Sequence, residues 1–127
     1  MYIGEQRLWQ DACNAKRYTN LLGYVDVSDG RSNPFDVTVG GSLESLGFSS
    51  SRPGDRMGIA GFFNGLGDLS DLLSILRPAG DVYGAEVYYN AEVTPCFHVT
   101  LDMQVLNTTF KSDNTALVLG VRGKIDF

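Results

Sequence analysis

The chain has a single histidine, His98, and two cysteines, Cys13 and Cys96, which limits the chemistry it could perform. Any Ser-His-Asp relay would have to use His98. Its neighbours two and four positions on are Thr100 and Asp102, and no Gly-x-Ser-x-Gly turn marks a nucleophile. A solvated histidine on a strand fits better. Cys96, His98 and Asp102 could hold a metal only if their ligand atoms converged, and the Pro95 turn intervenes. The glycines from Gly58 to Gly67 lack the strand-to-helix context of a phosphate-binding loop. Cys13 and Cys96 form no CxxC motif or Cys/His cluster and read as two separate thiols rather than a disulfide. The chemistry-bearing residues therefore predict no enzyme, no metal and no cofactor.

The elements that would position these residues come from a chain of 127 residues, about one domain's worth. A net charge of −5 and a pI near 4.6 argue against nucleic acid as a partner. No apolar run approaches the roughly 20 residues that a membrane-spanning helix needs. A transmembrane β-barrel stays open, because alternation averages a spanning strand to neutral hydropathy, and the mean hydropathy here is −0.06. From Met1 to Glu5 no basic segment precedes an apolar stretch, so no secretory leader is expected; either the protein stays inside or its natural start lies elsewhere.

Alternation dominates. In Thr115–Phe127, Leu117, Leu119, Val121, Gly123, Ile125 and Phe127 share one face, while Arg122, Lys124 and Asp126 share the other. In Phe97–Asn107, Phe97, Val99, Leu101, Met103 and Val105 oppose His98, Thr100, Asp102 and Gln104. In Ala85–Val93, Ala85, Val87, Tyr89, Ala91 and Val93 oppose Glu86, Tyr88, Asn90 and Glu92. Phe35–Glu44 splits in the same way, placing Asp36 and Glu44 on its polar face. Weaker versions run over Met57–Asn64, Leu21–Val27 and Tyr2–Trp9. The spacing predicts an all-β antiparallel meander of about six to seven strands.

Turn residues separate these runs at Asp29-Gly30, Asn33-Pro34, Ser49–Asp55, Thr94-Pro95 and Lys111–Asn114. The long connection Gly65–Val82 carries Leu69, Leu72, Leu73 and Leu76 at helical spacing, which predicts a short amphipathic helix there. Alternation alone does not say whether the apolar face meets a protein core or lipid. Aromatics near strand ends (Phe97 and Phe127 at one, Tyr83, Phe63 and Phe110 nearer the other) lean towards the membrane. Connections of alternating length and the terminal Phe127 lean the same way.

At this point a resemblance enters. Tyr88-Tyr89-Asn90-Ala91-Glu92-Val93-Thr94-Pro95, the strand through Gln104-Val105, and Thr115-Ala116-Leu117-Val118-Leu119-Gly120 through Asp126-Phe127 resemble the C-terminal end of the carbohydrate-selective porins of the OprB type. Leu8-Trp9-Gln10-Asp11 and Gly61-Phe62-Phe63-Asn64-Gly65-Leu66 agree with it. Cys96 stands where the family usually has tryptophan, and the gap 106–114 lacks the usual Pro-Gly turn. The resemblance implies that residues 1–127 are the C-terminal segment of a larger outer-membrane barrel of about sixteen strands. It implies lumen-lining, sugar-contacting roles for Glu86, Tyr88, Asn90, Glu92, Asp102, Gln104, Arg122 and Lys124. It also implies membrane-facing roles for Val99, Leu101, Leu117, Leu119, Val121, Ile125 and Phe127.

The function expected on that basis is passive carbohydrate transport across a Gram-negative outer membrane. Its partners would be mono- or oligosaccharides, outer-membrane lipid, and either the remaining strands or further copies of the chain. Two alternatives belong to other classes: a soluble β-barrel or sandwich that binds a small ligand, and a β fragment that pairs through its edges without channel activity.

Overall fold

The strands follow directly from the alternation. The computed structural model describes residues 1–29, 35–67, 80–107 and 115–127. Seven strands are present: β1 (Tyr2–Gln10), β2 (Tyr18–Val27), β3 (Phe35–Leu46), β4 (Arg56–Leu66), β5 (Val82–Thr94), β6 (Phe97–Leu106) and β7 (Ala116–Ile125). Each pairs antiparallel with the next, in the order β1-β2-β3-β4-β5-β6-β7, so the sheet is an open meander. The expected strands are all present, with ends that agree to within about three residues. No helix occurs among the described residues, and the helix expected over Leu69–Leu76 lies outside them, as do Gly30, the Asn33-Pro34 turn, Phe110 and the whole of the Lys111–Asn114 turn.

Pairing carries each strand's alternation across the sheet, because residues directly opposite point to the same side. One such row runs Leu21, Leu43, Ile59, Val87, Met103, Leu119. The row beside it on the other face runs Leu22, Ser42, Ala60, Glu86, Gln104, Val118. One face of the sheet is thus apolar across six strands and the other is mixed and polar.

The apolar face is the open one. Leu117, Leu119, Val121 and Ile125 are 63, 73, 77 and 59 % exposed, and no hydrophobic side chain among the described residues is buried. Inner-face residues of β2, β5 and β6 are the more covered set: Asn20, Tyr24, Glu86, Tyr88, Asp102 and Gln104 are half-buried while their apolar neighbours stand exposed. A soluble sandwich or barrel inverts this arrangement, placing its apolar rows inside.

Two further features suit a barrel wall. Strand ends are staggered: Tyr18, the first residue of β2, lies on the row of Leu46, Arg56, Asn90, Thr100 and Arg122, and β7 runs beyond that row to Ile125. Stagger of this kind accompanies strand tilt in a closed barrel. On the apolar face, Tyr2, Phe63 and Tyr83 share one row near one end, with Val25 and Val39 between them. Trp9 and Tyr89 share another near the opposite end, with Thr19, Ser45 and Met57 between them. Paired aromatic bands bound the apolar belt of transmembrane barrels.

Candidate functional site

Because side chains alternate, the polar candidates of β5, β6 and β7 fall onto four adjacent rows of one face. Glu86 faces Gln104, and Tyr88 faces Asp102, which faces Gly120. Asn90 faces Thr100, which faces Arg122, and Glu92 faces His98, which faces Lys124. All eight residues expected to line a lumen therefore share one face, although Glu92, Asp102 and Gln104 do not line the hollow found there. Most of them line one hollow of about 360 Å³ that also takes in Glu44, Arg56, His98 and Thr100.

The hollow is organised by a reach across three strands. Tyr88 on β5 lies opposite Gly58 on β4, and Gly58 lies opposite Glu44 on β3. The Tyr88 hydroxyl donates to Glu44 Oε2 at 2.5 Å, so its side chain crosses the whole width of β4. Strands sit about 4.8 Å apart, so such a reach lays the side chain along the sheet surface. Gly58 makes room for it: a Cβ there would stand 2.6 Å from the ring. Arg56 holds the other oxygen of Glu44 at 3.3 Å.

Charge around the hollow is mostly paired. Arg122 stands 3.8 Å from Asp102 and Lys124 2.7 Å from Asp126. Lys124 is the main reason that the Asp126 carboxyl, just past the end of β7, sits below the usual carboxylate range. His98 Nε2 is 3.6 Å from the same carboxylate, while Asn90 donates to Thr100 at 2.7 Å. His98, Cys96 and Asp102 do not converge, and no group of metal-ligating side chains occurs among the described residues.

The turns beside the hollow are laced to one another. Arg17, in the β1–β2 turn, bonds the Asp11 carboxylate and the Gly47 carbonyl, both at 2.7 Å. Gly47 takes φ +62°, a conformation that excludes most other residues. Asp55, at the foot of β4, is 1 % exposed and accepts from Arg52, from the Tyr89 hydroxyl and from the Glu92 backbone N–H. Hydrogen bonding from Arg52, helped by the Tyr89 hydroxyl, holds the Asp55 carboxyl below its usual range against the opposing effect of burial.

The expected membrane-facing residues Leu101, Leu117, Leu119, Val121 and Ile125 are exposed on the apolar face; Val99 shares that face half-covered, and Phe127 lies fully exposed beyond β7. Cys13 and Cys96 are free and exposed, each in a turn at the same end of the sheet. Sequence reading missed Arg56 and Gly58. Arg56 precedes the alternation recognised in β4, and a lone glycine there carries no sign of the tyrosine above it. Arg52 and Asp55 were legible only as turn residues.

Three comparisons bear on identity. No curated protein matches the chain. Among solved structures, Pseudomonas putida OprB at high pH superposes with a TM-score of 0.85 at 22 % identity, over 98 % of this chain and 34 % of that one. At that identity the match speaks to the fold, and the chain spans about a third of the solved protein's length. The sequence profile of the carbohydrate-selective porin, OprB family, matches residues 1–127. With the whole of the sequence matched and an open seven-stranded meander that superposes on part of a porin, the chain belongs to the carbohydrate-selective porin, OprB family.

Proposed function

We propose that the seven strands form part of the wall of an outer-membrane barrel that admits mono- or oligosaccharides by passive diffusion. The carrying observation is the inverted sheet: apolar rows exposed, polar rows half-covered and gathered around one hollow. In lipid, backbone groups at a sheet edge cost several kcal/mol each unless paired. The outer edges of β1 and β7 therefore take up further strands of the barrel or a second copy of the chain.

In that frame Leu101, Leu117, Leu119, Val121 and Ile125, with Val99 and Phe127, meet lipid. Glu86, Tyr88, Asn90, Glu92, Asp102, Gln104, Arg122 and Lys124 line the passage and exchange hydrogen bonds with sugar hydroxyls as water does. Catalysis plays no part, in keeping with a family of channels rather than enzymes. The test is swelling of proteoliposomes carrying the channel purified from outer membranes. Faster entry of glucose and maltose than of a neutral amino acid of similar size supports the reading. Equal rates overturn sugar selectivity, and a protein that stays soluble without detergent overturns the barrel.

A further inference from the structure

Among the described inner-face residues, Tyr88 alone crosses a neighbouring strand to reach a carboxylate two strands away. We propose that Tyr88, laid over Gly58 and tethered by Glu44, is a stacking subsite for an uncharged pyranose, and that Gly58 sets the width of the passage at that level. The inference rests on the transport reading and assigns the place where the sugar pauses.

Three observations carry it. First, the side chain is held along the wall over Gly58: its hydroxyl is bonded to Glu44 at 2.5 Å, and Arg56 braces that carboxylate at 3.3 Å. A ring held along the wall gives its free side to the hollow, the surface on which the C–H patch of a pyranose rests. Secondly, Glu86 lines the same hollow two residues along β5, and its carboxylate takes part in no hydrogen bond or ion pair among the described residues. It is an acceptor open to sugar hydroxyls beside the ring. Thirdly, the cations around the hollow already face carboxylates, as Arg56 with Glu44 and Arg122 with Asp102. A neutral polyol then fits better than a sugar phosphate, because an added negative charge finds these cations already paired and Glu86 repelling it.

Gly58 follows from the same geometry. Any Cβ at this position meets the ring at 2.6 Å, so the side chain must lift off the wall into the passage. The adjacent strand thus decides how far the tyrosine protrudes.

The experiment is single-channel recording from the native channel and its variants in planar bilayers, reading ion conductance and its block by added glucose or maltose. Only folded channels conduct, so each trace reports on an intact barrel. Tyr88→Ala is expected to raise ion conductance and weaken sugar block about tenfold, the order of one lost aromatic contact. Tyr88→Phe, which keeps the ring and loses the tether, is expected to keep block within a few-fold of the parent. Gly58→Ala is expected to lower ion conductance. Sugar block that Tyr88→Ala leaves unchanged overturns the subsite while leaving transport intact. Unchanged conductance in Gly58→Ala overturns the width assignment. A parent channel that conducts ions but neither binds nor passes sugar overturns the transport reading, and the subsite with it.

Discussion

The Tyr89 hydroxyl donates to Asp55, joining the middle of the sheet to the turn between β3 and β4. The neighbouring Tyr88 points to the opposite face and reaches Glu44. Two consecutive tyrosines thus brace β5 in two places, one at the turn rim and one across the polar face. Arg52 completes the rim by gripping the same Asp55 carboxylate with two hydrogen bonds, at 2.5 and 2.9 Å.

This rim predicts acid sensitivity. The folded Asp55 carboxyl sits below its ordinary range, chiefly through Arg52, so it protonates less readily folded than unfolded. Its contribution is fully present above the unfolded value of about 3.9 and is lost as pH falls through the lower, folded value. Denaturant unfolding in detergent is expected to show a stability drop in the acid range that Asp55→Asn removes. At neutral pH, Asp55→Ala is expected to cost about 1–3 kcal/mol, since Arg52, Tyr89 and the Glu92 N–H lose their shared acceptor. A variant with the parent's acid profile would refute the assignment.

The apolar face predicts a depth-dependent penalty. Leu119 is 73 % exposed and shares its row with Met103, Val87 and Ile59, between the two aromatic bands. Leu119→Arg is expected to cost about 2–4 kcal/mol of folding free energy in lipid vesicles if this row lies near mid-bilayer. Gln104→Arg, on the other face one residue from that row, is expected to cost far less. Equal tolerance of both would mean that lipid does not cover this face.

The hollow predicts an ion preference. Glu86 brings a carboxylate without a hydrogen-bonding partner among the described residues to a passage whose other charges are largely paired. Glu86→Gln is expected to reduce the preference for cations over anions, more at low salt than at high, because screening shortens the reach of the charge. Reversal potentials across a salt gradient give the readout.

Cys13 and Cys96 predict a labelling pattern. Both thiols are free and exposed in turns at one end of the sheet. A membrane-impermeant maleimide is expected to label both Cys13 and Cys96 when applied from the side of the β1–β2 and β5–β6 turns, and neither from the other side. Intact mass counts the adducts, and an oxidised, unreactive pair would contradict the structure.

Alternation made all seven strands and their two faces readable from the sequence, because a period of two leaves an extended chain no choice about which side chains travel together. It located Glu86, Tyr88, Asn90, Asp102, Gln104, Arg122 and Lys124 on the polar faces of β5, β6 and β7 before any pairing was known. It could not say how the strands register, and register decides what each side chain meets. Only the paired sheet places Gly58 between Tyr88 and Glu44, residues 44 positions apart in the chain. Only the folded turns bring Arg52 and Tyr89 onto Asp55, which composition marked as no more than a turn. Local periodicity is written into consecutive residues, whereas a side chain that reaches across two strands depends on contacts that exist only once the sheet has assembled.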